Sequence, residues 1–315
     1  MELGVSYIPA HLPYHIEADM RHLKEMGCTE VLFALQENHK KILNGALRFG
    51  ARIAKENDLR PYAAVWGYAN TFGGGRMSNI LLEDVNMWRV SKDGRPFPLA
   101  CLNRPKLVHE FVKITQDCHD HGYEGIFVDE PTIQECFCPI CQELFLNQFG
   151  KDIRESEGTE EYRTFQKKTV KIYTQEVCGK VKALDRNQKT ITCIMPQDHE
   201  LFESVASISE LDILGTDPYW LAVKGMGMED ACKYARLLKE KCKEKNKSSQ
   251  IWLNCWRIPE GLEEDIYTGG KMLAEVGCDS FYTWSFRGGL GTNEECDNPE
   301  KAWRSVFKLY RELSQ

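Results

Sequence analysis

"KLVHEFVKITQDCHDHGYEGIFVDEP", residues 106–131, joins an amphipathic stretch to a short apolar run that ends in two carboxylates. Leu107, Phe111, Ile114 and Cys118 recur at intervals of three and four residues, the period of a helix with one buried face. After Gly122 the pattern changes: EGIFVDE, residues 124–130, has the length and the composition of a buried strand. A helix that feeds a strand of this kind is half of a βαβ unit, and the fold depends on how often the unit recurs.

It recurs along the whole chain. Upstream, GVSYIPA (4–10), EVLFALQ (30–36) and YAAVWGY (62–68) read as strands separated by helical stretches. Downstream, TITCIMP (190–196), DILGTDPYW (212–220), QIWLNCW (250–256) and SFYTWSF (280–286) continue the series, and KAWRSVFKLYREL (301–313) closes it as a helix. Eight strands alternating with helices predict an α/β fold of the (β/α)8 TIM-barrel type, a single domain over 1–315. Two irregular segments interrupt the rhythm, a loop excursion at 69–105 and a cysteine-rich loop at 131–145. A doubly wound open sheet is the competing arrangement, but it wants a glycine-rich phosphate turn after an early strand, and none is present. Gly73-Gly74-Gly75 lacks the Lys-Ser/Thr of a P-loop and reads instead as the tip of a mobile lid.

Composition narrows the function. The 315-residue chain carries a net charge of −7, which argues against nucleic acid or an anionic membrane as its partner. It contains no apolar run long enough to span a bilayer. The first residues, MELGVSYIPAHLPYH, show no basic-then-apolar leader, so a cytoplasmic location is expected. In a reducing compartment the thirteen cysteines should be thiols or metal ligands, and most are scattered among apolar neighbours as small buried hydrophobes. A homo-oligomer is compatible with all of this.

In a TIM barrel, chemistry collects where the strands end. Those ends supply Trp66 and Tyr68 from strand three, Asp129 and Glu130 from strand four, and Asp198 from strand five. Strand six adds Asp217, Tyr219 and Trp220; strand seven, Asn254, Trp256 and Arg257; strand eight, Trp284 and Arg287. Four of these are tryptophans, whose flat faces suit the apolar face of a sugar ring. The expected substrate is therefore a small carbohydrate, and Arg257 and Arg287 suggest an anionic one such as a uronide. A carboxyl group among aromatic walls loses hydration, so its pKa rises and it can act as a general acid. Glu130 is placed in that role. Asp217 is the first choice for the second carboxylate that glycoside cleavage needs, ahead of Asp198, and Asp129 stands beside the acid.

Cys136-Phe-Cys138-Pro-Ile-Cys141 places three thiols in six residues just beyond strand four. That is a compact start for a tetrahedral thiolate site, and Cys101, in the excursion before strand four, can complete it. Four thiolates leave no open position, so the Zn2+ they hold would be structural.

Together, a strand-four Glu-Pro, the downstream C-x-C-x2-C and an upstream cysteine resemble the clan A glycoside hydrolases, and among them the family 42 β-galactosidases. The motif match runs from Cys101 to Cys141. The resemblance implies an acid/base role for Glu130 and a sugar-hydroxyl contact for Asp129, where that clan usually has Asn. It also implies a nucleophilic Glu at the end of strand seven, but IWLNCWRIPEG offers Asn254, Trp256 and Arg257 there. Three other readings accommodate that gap: a sugar-binding barrel without activity, a lyase, and a metal-dependent hydrolase or isomerase. The last would want histidine ligands, and only His11 and His199 sit at strand ends.

Overall fold

The alternation of strands and helices closes on itself. In the computed structural model, which describes residues 1–10, 12–38, 44–71, 78–222 and 225–315, eight parallel strands form a closed barrel. They are β1 (Glu2–Tyr7), β2 (Glu30–Leu35), β3 (Arg60–Val65), β6 (Gly125–Val128), β7 (Lys189–Cys193), β8 (Ile213–Thr216), β9 (Ser248–Asn254) and β10 (Ser280–Trp284). Closure comes from β1, which pairs with β2 on one side and β10 on the other. Each expected strand is present, shortened at its C-terminal end where the chain leaves the sheet.

The barrel helices are α1 (Pro13–Met26), α2 (Asn44–Glu56), α4 (Pro105–Asp120), α6 (Glu160–Leu184), α8 (Met228–Glu244), α9 (Glu263–Glu275) and α10 (Pro299–Leu313), with a single turn, α7 (Phe202–Ala206), between β7 and β8. Their apolar stripes meet the outward residues of the strands in one continuous core. The inward residues form a second cluster that includes Leu32, Tyr62, Phe127, Ile191, Trp252 and Tyr282. Aromatic residues of that size fit because the strands supply glycine opposite them. A Cβ on Gly4 would stand 2.2 Å from the Tyr282 ring.

The floor of the barrel is polar. Glu30, 2% exposed, accepts hydrogen bonds from Tyr62 (3.0 Å) and Tyr282 (2.7 Å) and pairs with Arg60 at 2.7 Å. Burial raises its pKa above the ordinary value.

The excursion after β3 is more ordered than its composition suggests. It contains a short helix α3 (Asn79–Glu83) and an antiparallel hairpin, β4 (Trp88–Val90) with β5 (Pro96–Ala100). The expected lid tip at Gly73–Gly75 lies outside the described residues. Beyond β6 the chain forms α5 (Pro139–Phe149), whose first turn carries Cys141. Among the described residues, no helix is long and apolar enough to cross a membrane.

Candidate active site and four-cysteine centre

Where β6 ends, the backbone turns sharply. Glu130 has φ 33, an uncommon value for a residue with a side chain, and the following Pro131 restricts it further. Strict alternation would send Asp129 and Glu130 to opposite faces, but with this turn both line the barrel mouth. Strain of about 1–3 kcal/mol at such a position is typical of a functional site. Asp129 is fixed by the Gly67 N–H, which donates to its Oδ2 at 2.9 Å.

The mouth is a cavity of about 280 Å3. Trp66, Trp256, Trp284 and Tyr219 line it. Trp66 and Trp284 lie 5.1 Å apart between ring centroids, and Tyr219 meets Trp256 edge-on at 5.9 Å. Trp252 and Phe127 close the bottom, with Met195 and Cys193 from the β7 side.

Inside this largely aromatic box, an oxygen of Glu130 and one of Asp217 lie within 4.8 Å of each other. Burial, then the charge of Asp217, pushes the Glu130 carboxyl well above the carboxylate range, and Glu294 adds to the effect. Burial also raises Asp217, to about 6, although the Glu130 carboxyl beside it favours its ionised form. Two buried carboxyl groups this close favour a state in which the pair holds one proton, and the stronger upward shift of Glu130 places that proton on it. Cys193 donates to Asp217 Oδ1 at 3.6 Å, and burial raises its own pKa, so it remains a thiol.

Glu294 was not foreseen. It lies in the loop after β10, only 8% exposed, and it lines the same cavity. Its Oε2 accepts from the Trp284 indole N–H at 3.0 Å. Arg257 holds the loop from below: its backbone N–H donates to the Glu294 carbonyl (3.0 Å) and its Nε to that of Asn293 (3.3 Å). The available signal was a lone carboxylate in GGLGTNEECDN, which has no strand or helix periodicity to place it.

Several expected site residues lie elsewhere. Tyr68 follows Gly67, whose φ of 69 reverses the chain, so its ring packs on Phe111 and its hydroxyl donates to the Leu107 carbonyl at 2.6 Å. Trp220 packs on the outer core beside Gly269 of α9. Asp198 accepts from the Ile133 N–H at 3.0 Å and so anchors the loop beyond Glu130. Asn254 is fully buried, with neither end of its amide hydrogen-bonded. Arg257 is exposed above the Trp256 ring, and Arg287 pairs with Asp19 at 3.5 Å on the far side of Phe286. Neither arginine lines the cavity.

The cysteine loop folds as a separate device. Cys101 follows β5, Cys136, Cys138 and Cys141 follow β6, and all four are buried with their sulfurs within 4.8 Å of one another. Three of the separations are 3.5 Å (Cys101–Cys141), 3.7 Å (Cys138–Cys141) and 3.8 Å (Cys101–Cys138). The group could hold a metal ion. Asn103 donates to the Cys141 sulfur at 3.3 Å. Arg89, buried and bonded to the Ala100 and Thr71 carbonyls, brings a positive charge to the cluster. Glu130, Cys193 and Asp217 are also within 4.8 Å of one another. Among the described residues, no histidine lines the cavity: His199 bonds to the Pro196 carbonyl, and His11 lies outside those residues.

A closed barrel of eight parallel strands, with helices between them and acids gathered at the C-terminal mouth, is a (β/α)8 TIM barrel. Among solved structures, the chain is similar to a β-galactosidase from the Antarctic haloarchaeon Halorubrum lacusprofundi, with a TM-score of 0.73 at 15% identity over 100% of this chain and 58% of that one. A β-galactosidase from Marinomonas ef1 superimposes with a TM-score of 0.74 at 11% identity, over 99% of this chain and 59% of that one. The catalytic domain of a Paenibacillus polymyxa β-amylase gives 0.66 at 9% identity, over 98% and 97% of the two chains. The chain thus spans less than two thirds of those β-galactosidases, and the likeness is one of fold. No protein-family model and no curated protein sequence matches it.

Proposed function

We propose that the protein is a glycoside hydrolase that cleaves a small glycoside at the barrel mouth, with Glu130 as the general acid. The observation that carries this reading is the Glu130–Asp217 pair, a protonated carboxyl held beside its conjugate base inside an aromatic pocket. A raised carboxyl pKa is the requirement for protonating a glycosidic oxygen near neutral pH. The cavity, about 280 Å3, suits one sugar ring, so the reading favours attack on a terminal residue.

The second carboxylate of the reaction is then Glu294. An oxygen of Asp217 lies within 4.8 Å of one of Glu130, closer than the spacing of about 5–5.5 Å between the working carboxyls of a retaining enzyme or about 6.5–9.5 Å in an inverting one. Asp217 instead keeps the proton on Glu130 until the leaving oxygen takes it. Glu294 enters from another loop, held by Trp284 and Arg257, and supplies the carboxylate that β9 lacks.

The four cysteines are proposed to hold structural Zn2+. A tetrahedral zinc with Zn–S distances of about 2.3 Å has sulfur–sulfur edges of about 3.8 Å, and separations of 3.5, 3.7 and 3.8 Å support that fit. The metal would supply a clamp between β5 and the loop after β6, and it takes no part in the reaction. All thirteen cysteines are free, which suits a reducing, cytoplasmic setting.

The test is release of aryl alcohol from α- and β-aryl glycosides, uronides included, by wild type and Glu130→Gln. Turnover that is lost in the variant and survives chelation supports the assignment. Turnover that the variant retains, or that follows metal content while the fold stays intact, refutes it.

A further inference from the structure

The cavity is unusual in what it lacks. Among the described residues, its lining contains no Lys, Arg, His, Asn, Gln, Ser or Thr. It does contain four carboxyl groups: Asp129, Glu130, Asp217 and Glu294. Its indole donors are partly committed, since the Trp284 N–H is given to Glu294 (3.0 Å) and the Trp252 N–H to Gln250 (2.9 Å). The Trp256 N–H, buried without a partner among the described residues, and the proton on Glu130 can still donate, but against four carboxyl groups and the aromatic faces the wall offers more acceptors than donors.

A neutral sugar hydroxyl both donates and accepts, so it profits from a wall that does both. An ammonium group only donates, and it is attracted both to carboxylates and to the faces of Trp and Tyr within about 6 Å. An acidic sugar would meet like charge in a low-dielectric pocket. Among the described residues, the two arginines just beyond strand ends point elsewhere, Arg257 to the Asn293 carbonyl and Arg287 to Asp19.

We propose that the glycosyl group taken by this pocket carries a protonated amine, as an amino sugar does, in place of the anionic ring that Arg257 and Arg287 suggested from sequence. The inference rests on the hydrolase reading only for the word glycosyl. The selectivity for a cation follows from the wall itself.

The experiment is calorimetric titration of the full-length wild type with hydrolysis-resistant methyl thioglycosides. Amino, hydroxyl and uronic-acid forms are compared in each ring configuration and both anomers. An ammonium replaces a hydroxyl almost isosterically, so the best amino sugar should bind at least about tenfold tighter than its hydroxyl counterpart. The uronide should bind most weakly, and high salt should reduce the preference. Tetramethylammonium against tert-butanol, read by tryptophan fluorescence, tests the cage without a sugar, and the cation should quench at the lower concentration. Equal affinity of amine and hydroxyl forms, tighter binding of a uronide, or no amine binding at millimolar concentration overturns the proposal. Turnover of neutral aryl glycosides without amine preference sinks this inference and spares the hydrolase. Amine preference without turnover of any aryl glycoside does the reverse.

Discussion

Replacing Asp217 with Asn tests the acid pair without any knowledge of the substrate. In the folded protein burial pushes Asp217 up to about 6, against an ordinary aspartate value of about 3.9. Unfolding releases it to the ordinary value, so between those two points the folded state holds a proton that the unfolded state gives up. Stability therefore falls as pH rises through that window. A shift of about two units corresponds to roughly 3 kcal/mol lost between about pH 4 and about pH 7, a large part of the stability of an ordinary domain. Asp217→Asn has no such proton to lose. The same substitution lowers the Glu130 pKa, because the negative partner that raised it is gone, and this flattens the profile further. Urea unfolding of both proteins across this pH range is the assay. Relative to wild type, the variant should gain stability toward neutral pH, with the difference moving the midpoint by about 1–2 M. Parallel pH–stability curves for the two proteins would refute the buried proton-sharing pair, and with it the basis for Glu130 as an acid.

Other substitutions separate the parts of the site. Glu130→Gln should lower kcat by about 10²–10⁴ with little change in KM, measured on whichever aryl glycoside is turned over. Glu294→Gln should cost a comparable factor and leave the melting temperature near wild type; full activity would return the second-carboxylate role to Asp217. Atomic emission on the purified protein should find about one zinc per chain, and Cys138→Ser should lose the metal together with several degrees of Tm. Metal-free protein of unchanged stability would rule out the clamp. Tyr68→Phe should destabilise by about 1 kcal/mol, through the lost bond to Leu107, and leave substrate affinity unchanged, since its ring lies in the core.

How much of this the sequence reveals depends on where the chain turns. Strand and helix periods are local properties, so the eight-stranded barrel, the position of Glu130 at a strand end and the grouping of the four cysteines are legible from residue order. The direction of a side chain beyond a strand end is not. Tyr68, Arg257 and Arg287 each sit at a left-handed turn: Gly67 has φ 69, Arg257 φ 49 and Arg287 φ 50. At each turn the expected alternation is lost, and these side chains leave the mouth. The hairpin β4–β5 was hidden for a different reason. A three-residue strand, WRV, gives no detectable period, and its partners in the hairpin, Ala100, Phe97 and Pro96, lie beyond an intervening turn. Glu294 had no periodic signal either. It reaches the cavity only because Gly289, at φ 70, lets the loop pass where a Cβ would stand 2.6 Å from the Glu294 carbonyl oxygen.

The missing carboxylate of strand seven is therefore a question of route. From the end of β9 the chain runs through Trp256 into an exposed turn, and Arg257 there spends its backbone N–H and its Nε on the loop that carries Glu294. The strand that fails to deliver an acid thus positions the acid delivered by its neighbour. On the opposite wall, the segment after Glu130 is held by Asp198 through Ile133, by the bond from the Leu102 N–H to the Gln134 side chain, and by the cysteine cluster. Arg89 ties that cluster to Thr71, at the end of the segment that begins with Trp66. Metal loss should accordingly loosen Trp66 and Glu130 together, because one clamp restrains both segments. Hydrogen exchange on metal-stripped protein would show this as parallel deprotection of residues 66–71 and 129–134 with β8 and β9 unchanged. Uniform deprotection across the barrel would mean that the metal stabilises the whole fold and does not specifically brace the mouth.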